Sequence, residues 1–98
     1  NRGIRSLMPL TTSHKTLGTV TPTKICDATS IPQTVWVHNA EHAQSDEVFI
    51  GNASVSTATG MHIHSDETLK IDLDPGSDLW AISDTDGSIV HVMCLKQD

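Results

Sequence analysis

No stretch of this chain carries apolar residues at the i, i+3, i+4, i+7 spacing of an amphipathic helix over several turns. Short runs rich in Val, Ile and Thr recur instead, separated by Gly, Asp, Asn and Pro at intervals of roughly ten residues. That spacing predicts an all-β fold, a single antiparallel β-sandwich or barrel. The expected strands are 17 to 25, 33 to 39, 47 to 56 with an interruption, 61 to 64, 68 to 73, 78 to 83 and 88 to 95. The turn residues agree. Asp84-Thr85-Asp86-Gly87 supplies a position for positive φ, and Asp74-Pro75-Gly76 places Pro and Gly as a type II turn requires. Gly51-Asn52 and Thr59-Gly60 mark bends or bulges.

The 98 residues suffice for one domain and one core. Residues 1 to 14 (NRGIRSLMPLTTSH) show neither helical nor strand period, and Pro9 blocks a continuous element. The expected organisation is therefore an extended N-terminal arm, residues 1 to 16, followed by a β-sandwich domain, residues 17 to 98. The polar segment 39 to 46 (NAEHAQSD) reads as a surface loop. With no long apolar run, a membrane-spanning helix is excluded, and the chain as given lacks the charged-then-apolar order of a secretory signal. A soluble protein is expected.

The net charge of −6 is unevenly placed. Arg2, Arg5, Lys15 and Lys24 precede every acid, whereas residues 27 to 98 hold all 12 acids with only Lys70 and Lys96. An acidic body with a few scattered cations does not suit a phosphate backbone, so no nucleic-acid partner is expected. A basic segment of this kind suits an acidic neighbour, such as another copy of the chain. A solvated tail is the plainer alternative. Cys26 and Cys94 show no CxxC spacing and read as small buried apolar groups, with a single bridge as the alternative.

Alternation assigns faces. Leu69, Ile71 and Leu73 point one way and Lys70 and Asp72 the other, as in a half-buried strand, and Val48 and Ile50 repeat the pattern beside Glu47. The last strand departs from it. Val90, Val92 and Cys94 line one face, but Ile89, His91, Met93 and Leu95 line the other. A strand apolar on both faces needs two covers, the second being a loop, the arm or another subunit. Trp36 and Trp80 are opposite in parity to their apolar neighbours and read either as core or as interface anchors. The interface candidates are accordingly Arg2, Ile4, Arg5, Leu7, Met8 and Leu10 of the arm, with Trp36, Trp80, Ile89, His91 and Met93 of the domain.

Met61-His62-Ile63-His64 places two imidazoles on one face of a strand, where both could hold one metal ion, with Glu67 close behind. A cupin site has an HxH followed by three or four residues and a Glu. Here only Ser65 and Asp66 intervene, no Gly lies five residues before the pair, and no second motif follows. His62 and His64 are therefore expected to be solvent-facing strand residues, and no metal, cofactor or catalytic residue is assigned. The chain holds no GxSxG, no phosphate-binding Gly loop and no Cys beside a His on a nucleophile turn. Asp84, Asp86 and Gly87 make half of a calcium loop, without its distal Glu. Three aromatic residues make a poor stacking platform.

Residues 48 to 95, VFIGNASVSTATGMHIHSDETLKIDLDPGSDLWAISDTDGSIVHVMCL, follow a particular order: a strand ending in Gly, a bend of small polar residues, an alternating strand, an acidic turn, an LWAIS strand and a closing strand. With PQTVWVHNA at 32 to 40, this resembles the small all-β capsid decoration (cement) proteins of tailed bacteriophages. The resemblance implies a jelly-roll-like β-sandwich, assembled as a homo-oligomer and often as a trimer. It also implies a place on the capsid exterior, where the oligomer clamps the major capsid protein without enzymatic activity, nucleic acid or membrane. Two other readings stand beside it: a tail or fibre module binding a host glycan, and a diverged metal-dependent cupin.

Overall fold

The computed structural model describes residues 10–41 and 46–97. Among these no helix occurs, and the strands are β1 (Leu10–Leu17), β2 (Thr23–Cys26), β3 (Gln33–Asn39), β4 (Val48–Gly51), β5 (Met61–Ile63), β6 (Thr68–Leu73), β7 (Leu79–Ser83) and β8 (Ser88–Lys96). They form two antiparallel four-stranded sheets that pack as a sandwich, one ordered β1-β8-β3-β6 and the other β2-β7-β4-β5.

Side-chain alternation determines which residues meet between the sheets. From the first sheet come Leu17, Val35, Val37, Leu73, Val90 and Val92; from the second come Ile25, Cys26, Val48, Ile50, Ile63, Leu79 and Ala81, all in one buried cluster. These are mostly β-branched residues, which suit a pleated surface and lose little rotamer freedom there. Full burial of each large aliphatic side chain contributes about 1.5–3 kcal/mol. The expected parity of β6 holds, with Leu73 buried between exposed Asp72 and Asp74.

Two turns carry the conformations their sequences require. Gly76 has φ 83° and Gly87 φ 85°, where an L side chain is strained. The amide of Ser77 donates to the carbonyl of Asp74 at 3.1 Å, closing the turn around Pro75-Gly76.

Most strand limits fall within one residue of expectation, and three features depart by more. Residues 10 to 16, expected within the arm, form β1 and pair with β8 from Leu10↔Leu95 to Leu17↔Ser88. Residues 1 to 9, with Arg2, Ile4, Arg5, Leu7 and Met8, lie outside the described residues. β1 escapes a pattern search because it is a sheet edge whose inward positions Thr11, Ser13 and Lys15 are polar, so no apolar alternation marks it. The strand expected at 17 to 25 is therefore replaced by the end of β1, a bend, and the short β2. The strand expected at 47 to 56 stops at Gly51, because Asn52 turns the chain. Its side-chain oxygen accepts the Ser54 amide at 2.9 Å and its carbonyl accepts the Val55 amide at 3.0 Å.

Candidate functional site

The outward face of β1-β8-β3-β6 presents side chains in rows across the strands. One row runs His14, His91, His38 and Thr68; the next runs Thr12, Met93, Trp36 and Lys70; a third runs Leu10, Leu95, Thr34 and Asp72. Ile89 extends the β8 column. A shallow groove of about 600 Å³ runs along the first two rows, and Trp36 and Met93 are among the residues that line it. Leu10 is 44% exposed and Ile89 36%, His91 is exposed, and Trp36 and Met93 are half-buried. Lys70 Nζ stands 6.0 Å from the centre of the Trp36 ring, within cation–π range. His38 Nδ1 lies 2.9 Å from Thr68 Oγ1, and the His38 and His91 ring centres are 6.2 Å apart. Within these three rows Asp72 is the sole acid, and Thr34 Oγ1 donates to it at 2.8 Å. The face is therefore imidazole-rich, with a central apolar strip of Trp36, Met93, Leu95 and Ile89, on an acidic body. It unites Leu10, Trp36, Ile89, His91 and Met93 from among the expected interface residues.

Trp80 lies elsewhere. It projects from the outer face of the other sheet and packs against Phe49, Val55 and Ile82, with Lys24 Nζ 5.6 Å from its ring centre. The turn-rich segment 52 to 60 folds back so that Val55, 5% exposed, covers this small cluster. Trp80 thus belongs to a second core, and its indole N–H is buried without a hydrogen-bond partner.

On that same outer face, beyond Phe49, Glu47 meets His62 and His64. The antiparallel register Val48↔Ile63, Phe49↔His62 places residue 47 opposite residue 64, so Glu47 and both imidazoles project together. Glu47 Oε1 lies 2.8 Å from His62 Nε2 and 2.5 Å from His64 Nδ1. That oxygen is shut off from solvent and makes no hydrogen bond of acceptable geometry with either nitrogen. The His62 ring stacks on Phe49, centres 4.4 Å apart and planes at 24°.

The Glu47 backbone is held firmly. Its N–H donates to Asp84 Oδ1 at 3.0 Å, and its carbonyl accepts the Asp84 amide at 3.2 Å and Ser83 Oγ at 3.1 Å. Asn39, fully buried, donates to the carbonyls of Asp46 and Ile63 at 2.9 and 3.1 Å and accepts the Glu41 amide at 3.0 Å, linking β3 to both sides of this cluster. Glu67, the acid that sequence places beside the histidines, instead accepts the His64 amide at 3.0 Å and closes the β5–β6 turn. The β4–β5 register is what reveals Glu47, and segment 52 to 60 hides that register from a linear reading.

Between the sheets, at the β1–β2 edge, Cys26 Sγ and Cys94 Sγ lie 2.9 Å apart as free thiols. The hydrogen bond it shares with Cys26, together with one to Thr11, pulls the Cys94 thiol down to about 7 against the opposing effect of burial. The same bond and desolvation push the Cys26 thiol well above the usual thiol range.

Comparison with known protein families, with curated proteins and with solved structures returns no match for this chain.

Proposed function

We propose that this protein is a non-enzymatic structural component of a virion, a capsid decoration protein that docks through the outer face of β1-β8-β3-β6. The observation that carries the reading is that face itself: Trp36, Ile89, His91, Met93 and Leu95 stand outward on strands whose inner faces already fill the core. Burial of apolar surface supplies most of the affinity in such a contact, while Lys70 and the rim polar groups supply orientation. Repetition by symmetry in a homo-oligomer, with trimers expected, multiplies weak contacts with the major capsid protein into firm attachment.

The reading includes a jelly-roll topology, and the strand pairing supports that part of it. Such a fold pairs first strand with last, second with seventh, third with sixth and fourth with fifth, and the pairs β1·β8, β2·β7, β3·β6 and β4·β5 follow that scheme. Jelly rolls serve in viral capsid and lectin domains and in cupins. The cupin alternative is weakened because His62 and His64 project from the outer face of their sheet, whereas a metal enclosed in the barrel needs inward ligands.

Trp36 in a groove favours a second reading, a tail or fibre module for a host glycan, since an aromatic side chain lining it together with Thr12, His38 and Thr68 offers stacking and hydrogen bonds. The test is co-sedimentation of the purified protein with empty capsids of its parent virion. Saturation at a fixed number of copies per coat subunit supports decoration. Absence of capsid binding, with saturable oligosaccharide binding that quenches Trp fluorescence, supports the glycan reading.

A further inference from the structure

We propose that Glu47, His62 and His64 form a binding site for one divalent transition-metal ion of the zinc class per chain. Each of the three residues offers one ligand atom, and these atoms all lie within 4.8 Å of one another; Glu47 Oε1 contacts His62 Nε2 and His64 Nδ1 directly. Zinc binds imidazole nitrogen and carboxylate oxygen at about 2.0–2.2 Å, so side-chain rotations that open the two nitrogen–oxygen contacts bring all three onto one ion. The state of Glu47 Oε1 is the independent sign. It is withdrawn from solvent and faces both imidazole nitrogens without a hydrogen bond of acceptable geometry, so a positive charge at that point, from a protonated imidazole or a bound cation, is what compensates it. A cation lying between carboxylate and imidazole lone pairs satisfies all three groups at once.

The surroundings are prepared for such an ion. The Glu47 backbone is clamped by Ser83 and Asp84, and the His62 ring is held by its stack on Phe49, so the main chain of one ligand and the ring of another are in place before binding. Two nitrogen donors and one carboxylate favour zinc, cobalt, nickel or copper over calcium and magnesium, which prefer all-oxygen shells. The side chains of His62 and His64 are 45% and 60% exposed, so an ion can enter from solvent and its remaining position is open to water. The site lies on the outer face of β2-β7-β4-β5. Its role is to fasten the segment before β4 to the end of β5.

The test uses full-length, tag-free, chelator-treated protein titrated calorimetrically with ZnCl2, with Co2+ as an optical probe. Saturation at one ion per chain is expected, together with a Co2+ visible spectrum of four- or five-coordination and a higher thermal midpoint. Glu47→Gln and His64→Gln should each weaken zinc binding at least about 10-fold, whereas His91→Gln leaves it unchanged. Circular dichroism of the metal-free variants establishes that they fold, and His64→Gln, on an exposed side chain, serves if Glu47→Gln does not. Failure to saturate overturns the proposal. So does unchanged affinity in the His64→Gln variant, displacement of zinc by millimolar Ca2+ or Mg2+, or zinc uptake only as subunits associate at less than one ion per chain.

Discussion

The two outer faces of the sandwich begin from the same sequence signal and resolve it differently. On β2-β7-β4-β5, the outward Phe49, Trp80 and Ile82 are roofed by the chain's own segment 52 to 60 through Val55. On β1-β8-β3-β6, the outward Trp36, Ile89, Met93 and Leu95 have no such roof among the described residues. A strand apolar on both faces therefore marks a demand for a cover, without stating whether the cover is intramolecular. That distinction rests on whether a nearby loop is long enough and carries an anchor, as Val55 does here.

The sharpest way to break the comparison is to place a charge on each face. Ile82→Asp buries a carboxylate beneath Val55 and Trp80 and should cost more than about 3 kcal/mol, enough to unfold much of the protein. Met93→Asp, on the unroofed face, should cost less than about 1 kcal/mol. Urea denaturation followed by Trp fluorescence measures both, and equal losses would erase the difference between the faces. Removing the anchor alone is a milder perturbation. Val55→Ala should lower stability by about 1–3 kcal/mol through lost burial and an imperfectly collapsed void, with the urea midpoint as the readout.

The smallest effect concerns the inner side of β8, whose cover thins toward Cys94 at the β1–β2 seam. Thiolate is the nucleophile, and the Cys94 thiol is pulled down to about 7 by its bond with Cys26. Alkylation by iodoacetamide should therefore rise through a midpoint near pH 7 at Cys94 and remain slow at Cys26 over the same range, as followed by peptide mass spectrometry. Cys26→Ala removes the bond and should move the Cys94 midpoint upward, toward that of an ordinary thiol.

Much of the fold is legible in the sequence because β-branched alternation and turn residues act locally. The spans of β3 and β6 match their expected limits residue for residue, and Gly76 and Gly87 occupy the positive-φ positions their turns require. β1 is not legible, since Thr, Ser and His on an open edge satisfy the ladder without an apolar period. Its pairing with β8 makes residues 10 to 16 part of the domain, so an arm detachable without loss of sheet structure can extend no further than residue 9. The candidate sites follow the same division. The outward column Ile89-His91-Met93 is visible from parity alone, but its union with Trp36, His38 and His14 depends on β8 lying between β1 and β3. Glu47 and His62 become neighbours only through a hairpin whose connection is too irregular to register by eye. Trp80 shows the converse: parity exposes it, and a loop of small polar residues then covers it.

The claim that the face of β1-β8-β3-β6 is the docking surface is tested most directly by the affinity of Met93→Asp for empty capsids, measured beside the wild type by quantitative co-sedimentation. A carboxylate at the centre of a buried apolar contact should weaken attachment at least about 100-fold, corresponding to roughly 2.7 kcal/mol, while circular dichroism and the urea midpoint remain near those of the wild type. A folded Met93→Asp protein that decorates capsids with wild-type affinity and stoichiometry would contradict the account.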